Sequence, residues 1–185
     1  MDLTGSLQQL AEQNISGAAF LASYGMTWLV CALIWRRATP RTAALATLFQ
    51  GALAFPAAIG LSFLIGALGE PRSVPDLITE LSILIGTSQL LGLPFLIYLV
   101  ITRRYTLVPV AFASIISMHF VMYAWLYQTP WYIVMAALIS VGGVLVMATA
   151  PRQPEDVGPG RVCWMTGSTL LLTAATFAAM HLFAA

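Results

Sequence analysis

The chain has 185 residues, of which 59% are hydrophobic and only 8% charged; its net charge is +1 and its mean hydropathy +0.87. Soluble domains carry about a quarter charged residues, so this is the composition of a membrane protein. Every basic residue is an arginine: the absence of a continuous basic face excludes nucleic-acid binding, and the absence of lysine excludes Schiff-base chemistry.

In chain order, residues 1–13 place Leu3, Leu7 and Leu10 on one stripe among Gln8, Gln9 and Glu12, which predicts a short amphipathic helix lying at the membrane interface. Asp2 and Glu12 precede the apolar run that begins near Ile15, and Arg36-Arg37 follow it. Signal peptides have the opposite order, so the first span is expected to be retained. Crossing a bilayer takes about 20 apolar residues, and the chain divides into six such stretches, at about 15–35, 43–68, 77–101, 107–127, 131–150 and 162–183. The expected fold is therefore all-α, a single transmembrane domain built as a six-helix bundle. Ser73-Val74-Pro75-Asp76 has the spacing of a helix N-terminal cap and places the start of the third helix there. Pro56 and Pro94 fall within spans two and three, where each invites a kink: a bend that aids packing, or a hinge beside a widened cavity.

Arginines set the orientation. Arg36, Arg37, Arg41, Arg103, Arg104, Arg152 and Arg161 all fall on one side of a six-span topology, and Arg72, near Glu70 and Asp76, falls on the other. Basic residues stay preferentially in the cytoplasm, which predicts both termini outside. Trp125, Tyr127, Trp131 and Tyr132 at the outer turn, and Trp35, Tyr98, Tyr105 and Trp164 near the inner ends, read as an interfacial belt. Small residues four apart, Ser62/Gly66, Ala113/Ser117, Ala136/Ser140 and Ala174/Ala178, mark helix contacts, either within the chain or in a homo- or hetero-oligomer. The prolines of spans two and three have no counterpart in five and six, so an inverted transporter repeat is unsupported.

Few side chains in the spans carry chemistry. No Asp, Lys or Arg lies deep in a span, and Glu80 is about one turn inside the third. The candidate cavity residues are Gln50, Glu80, Ser88, Gln89, His119 and Tyr123. His119 and Tyr123 are four apart on one helical face, so the tyrosine is placed to orient the imidazole. Two readings of His119 compete: an interhelical hydrogen bond, with Gln89 as one partner, or the lining of a polar cavity open to the outside. Glu80 and His181 near the outer surface either form a pH-sensitive pair or simply face water. Met118, His119, Met122, Met180 and His181 include soft metal ligands, but successive helical residues point about 100° apart, and no metal or other cofactor is expected. Cys31 and Cys163 fall in the cytoplasmic halves of their helices, where a disulfide is disfavoured, and no C-x-x-C pair exists. The sequon Asn14-Ile15-Ser16 lies too close to the membrane to signify glycosylation. Gly-x-Ser-x-Gly, His-Glu-x-x-His and paired intramembrane aspartates are missing, so no catalytic residue is assigned.

Leu91-Gly92-Leu93-Pro94, and above all His119-Phe120-Val121-Met122-Tyr123-Ala124-Trp125-Leu126-Tyr127, resemble a family of small bacterial six-span membrane proteins of unknown function. The resemblance implies a bacterial inner membrane and brings no activity. The leading functional expectation is the binding or passage of a small neutral or polar solute through an outward-facing cavity. The alternatives are a non-catalytic assembly or partner protein and, behind it, a lipid-modifying enzyme.

Overall fold

The computed structural model of the protein describes residues 3–68, 76–151 and 157–184. Among them all regular structure is helical: α1 (Leu3–Gln13), α2 (Ala18–Trp35), α3 (Pro40–Phe49), α4 (Gly51–Leu64), α5 (Asp76–Ser88), α6 (Leu93–Ile101), α7 (Val108–Leu126), α8 (Trp131–Thr149) and α9 (Val157–Ala184). Six helical stretches are long and apolar enough to cross a membrane: Ile15–Trp35, Pro40–Leu64, Asp76–Ile101, Tyr105–Leu126, Trp131–Thr149 and Val157–Phe183. The protein is thus an all-α, multi-pass membrane protein. Residues 73–75 of the predicted cap lie outside the described residues, as do Asp2, Glu70, Arg72 and Arg152.

Local chemistry explains where the helices stop and start. Span two begins at Pro40 because Thr39 caps it: the Thr39 hydroxyl accepts from the Thr42 N–H at 3.4 Å, and proline occupies the first turn, where its missing N–H costs nothing. Helices α4, α6 and α7 each end in a Schellman motif, closed by Ala67 N–H to Ser62 O, Arg104 N–H to Leu99 O and Thr129 N–H to Ala124 O. The left-handed residue of the motif is Gly66 in the first, but Arg103 (φ 60°) and Gln128 (φ 51°) in the others. Helix α9 begins at Val157, so that Pro159 falls in its free first turn and Arg161 lies within the helix. Span three is broken: α5 gives way to a 3-10 turn over Gln89–Gly92 before α6. A proline ring clashes with the carbonyl four residues earlier, here that of Leu90, and the distortion therefore sits upstream of Pro94, which lies in the first turn of α6.

The closest packing joins α2 to α9. A Cβ on Gly167 would stand 2.8 Å from the Gly25 carbonyl oxygen, and one on Gly25 would stand 3.1 Å from that of Gly167. One heptad along, Gly160 lies against Trp35 and the Ala32 carbonyl. Backbones this close gain dispersion and Cα–H···O contacts, which drive helix association where the hydrophobic effect is absent. Around this seam Trp28, Cys31, Ala32 and Trp35 of α2 and Val162, Cys163 and Leu170 of α9 are buried, together with Ile116 and Phe120 of α7 and Met135 and Ile139 of α8. Trp35 and Tyr132 are core residues instead of belt residues. The Trp35 indole N–H donates to Thr47 Oγ1 at 3.0 Å, which draws the ring inside. Ser62, Ala113, Ser117, Ala136 and Ala174 are likewise buried within this one chain.

Gly167→Ala is expected to destabilise the protein by about 1–3 kcal/mol, because the methyl group meets backbone that cannot turn away. Gly60→Ala, with nothing within 4 Å of its Cβ, is expected to be neutral or to gain up to about 1 kcal/mol from helix propensity. Thermal unfolding of the two variants in one detergent tests this; equal effects would remove the special role of the seam.

Candidate functional site

The polar residues of span three are consumed by its own break. Where an α-helix changes to a 3-10 turn in hydrocarbon, the freed carbonyls need donors from the protein. The Thr87 hydroxyl donates to Ile83 O at 2.9 Å, Ser88 to Ile85 O at 2.7 Å and the Gln89 amide to Gly86 O at 3.2 Å. Ser88 and Gln89, both expected on a cavity wall, thus close the helix on itself.

His119 is 7% exposed, and its Nδ1 lies 2.8 Å from Ile85 O, the same carbonyl that Ser88 engages. A carbonyl only accepts, so Nδ1 donates; in the neutral ring Nε2 is left as an acceptor. The imidazole's partner is therefore backbone one turn before Gln89, and the bond ties α7 to α5. Tyr123 meets the imidazole as an edge-to-face ring, with centroids 4.8 Å apart. Its own ring stacks on Tyr127 at 5.6 Å, and both contact Tyr132, which packs on Phe177 of α9. The Tyr132 hydroxyl donates to Ser16 O at 2.6 Å. It thereby secures a chain reversal in which Ile15 (φ 47°), Ser16 (φ 49°) and Gly17 (φ 79°) are all left-handed, a conformation costly for a β-branched residue. Gly17 is required there on a second ground, since a Cβ would stand 2.8 Å from the Tyr132 hydroxyl. The reversal lays the stripe of α1 on protein: Leu7 and Leu10 pack with Ile78 and Ile85 of α5 and Leu126 of α7.

Gln50 differs from all of these. It joins α3 to α4 with helical backbone angles (φ −54°, ψ −31°), about 15 Å along span two from Pro40. It is 4% exposed, and neither Nε2 nor Oε1 meets a hydrogen-bond partner among the described residues. Thr166 Oγ1 on α9, about 14 Å along from Val157, is buried and unpartnered as well. An unsatisfied buried amide costs several kcal/mol when nothing nearby can hydrogen-bond. Sequence patterning favours Gln89, beside His119 and Tyr123, over Gln50 as a solute contact; in the structure Gln89 has a backbone partner and Gln50 has none.

The remaining candidates do not converge. Glu80 and His181 are exposed. Met118, Met122 and Met180 are exposed while His119 is buried, and among the described residues no group of three or more His, Cys, Asp or Glu side chains is arranged to hold a metal. Cys31 and Cys163 are free thiols in the core. Ser114 and Ser117 donate to carbonyls of their own helix.

Replacing His119 by Leu removes one interhelical bond but leaves Ile85 O with the Ser88 hydroxyl, so a loss of about 1 kcal/mol is expected. Unfolding by denaturing detergent measures it, and a loss above about 3 kcal/mol would show that the histidine does more than tie α7 to α5.

Neither a curated protein nor a solved structure is significantly similar to the chain. A family model does match, over residues 6–179, from α1 into the last turns of α9. The chain accordingly belongs to the family of unknown function DUF7010.

Proposed function

We propose that the protein sits in a bacterial cytoplasmic membrane, with its termini outside and the Arg36–Arg41 and Arg103-Arg104 turns in the cytoplasm, and that it binds a small uncharged polar solute within the bundle at Gln50. The unpartnered Gln50 amide carries this reading. It offers two donors and an acceptor at mid-depth, matched to a neutral molecule with both functions, and among the described residues no Asp, Glu, Lys or Arg is buried with it. Gln89, Ser88, His119 and Tyr123 then serve as the wall that holds span three in place. Glu80, exposed near the start of α5, has no part in the site.

A second reading, a non-catalytic partner or assembly protein, is supported by span three: only 17% of its most apolar stretch is buried, against 44% for span one.

Thiol labelling separates the two. Under solute binding, Gln50→Cys in membranes reacts with a small uncharged methanethiosulfonate reagent much faster than the buried Cys31 and Cys163 of the unmodified chain. A Gln50→Cys chain as inert as the unmodified one, under conditions in which the exposed Thr102→Cys reacts fully, would mean a sealed core and leave the partner reading.

A further inference from the structure

At the arginine-bearing end of the bundle an open groove of about 620 Å³ is lined by Arg41, Leu45, Val100, Ile101, Arg103 and Tyr105. Its parts come from the first turns of α3, the end of α6 and the turn before α7. We infer that this groove holds one anionic phospholipid, with the phosphate between the Arg41 and Arg103 guanidinium groups and an acyl chain along Leu45, Val100 and Ile101.

Three observations support it. The groove's lining joins two arginines and a tyrosine to three aliphatic side chains, which matches the headgroup and the acyl chain of a lipid. Both guanidinium groups are exposed, and among the described residues no ion pair engages either of them. Arg41 also stands in the first turn of α3, where the positive end of the helix dipole favours an anion. Basic pockets between membrane helices take such headgroups, each arginine contributing about 1 kcal/mol.

The backbone at Arg103 is independent of these. Arg103 occupies the left-handed position of the α6 Schellman motif, with Arg103 N–H bonded to Val100 O at 3.1 Å and Arg104 N–H to Leu99 O at 2.8 Å. Glycine is the residue that fits this conformation without strain, and the α4 motif has one at Gly66. An arginine here is worse for the turn than glycine, and its side chain faces the groove. Non-glycine residues held in left-handed backbone cluster at functional sites.

This arrangement supplies a variant that separates binding from folding. The full chain is placed in phosphatidylcholine nanodiscs with or without phosphatidylglycerol, and bound lipid is read by native mass spectrometry and thermal shift. Unmodified protein is expected to retain one phosphatidylglycerol molecule and to melt higher in its presence. Arg103→Gly should keep or raise the melting temperature in pure phosphatidylcholine and bind phosphatidylglycerol about fivefold more weakly, as should Arg41→Gln. Arg36→Gln, an exposed arginine outside the groove, should bind as the unmodified chain does. Equal weakening by Arg36→Gln would mean a diffuse charge effect and overturn the site. So would retention of phosphatidylcholine equal to that of phosphatidylglycerol, or inorganic phosphate stabilising the protein as well as the lipid does, which would make the groove a site for free anions.

Discussion

The backbones of α2 and α9 touch at Gly25 and Gly167, and the rest of the bundle is arranged around that contact. In lipid the hydrocarbon tails are as apolar as leucine, so helices gain little by hiding side chains from them; they gain by approaching closely. Glycine permits a separation at which carbonyl oxygens sit about 3 Å from where a side chain would begin. Once the two helices are locked, their flanks present Trp28, Trp35, Val162 and Leu170 to α3, α7 and α8 as one surface. Span three meets this core through α7, at Ile85, at Gly86 beside Tyr123 and at Gly92 beside Ile115, and through α6, whose Leu96 and Leu99 are buried in it.

Backbone and side-chain hydrogen bonds inside a membrane have to be closed within the protein, and the chain does this with short local devices. Hydroxyls of Ser62, Ser82, Thr87, Ser114, Ser117, Thr149, Thr173 and Thr176 each return to a carbonyl in the turn before. Such back-bonding satisfies the hydroxyl without a partner from another helix. Against that pattern the exceptions among the described residues are the Thr166 hydroxyl and the Gln50 amide, and the amide is the larger, with both ends open. The break in span three is filled by its own Ser88 and Gln89, whereas Gln50 sits in the helical backbone of span two with its amide buried.

The six apolar stretches were legible because the thickness of hydrocarbon dictates their length, a constraint that acts on composition alone. The family resemblance, resting on His119 through Tyr127, was legible too. What composition hides is rotation about each helix axis. Trp35 and Tyr132 have the residue types and depth of an interfacial belt, yet both face inward, one to reach Thr47 and the other to reach Ser16. The seam was missed for a related reason: spacing of four residues finds right-handed crossings, whereas Gly25 with Ala32 and Gly160 with Gly167 repeat every seven, the period of a left-handed pair. Gln50 was legible as a polar residue in a span; that it lacks a partner is a property of its neighbours and no sequence pattern reports it.

The left-handed reversal at Ile15–Gly17 bears on how the bundle is assembled during synthesis. The bond that secures it joins residues 116 positions apart, and the apolar floor for Leu7 and Leu10 is made by Ile78, Ile85 and Leu126. Helix α1 therefore leaves the ribosome well before the surfaces it rests on exist, and the strained turn has nothing to hold it until span five is inserted. The amino-terminal segment is among the last pieces to dock, and its closure reports that the spans up to the fifth are in place.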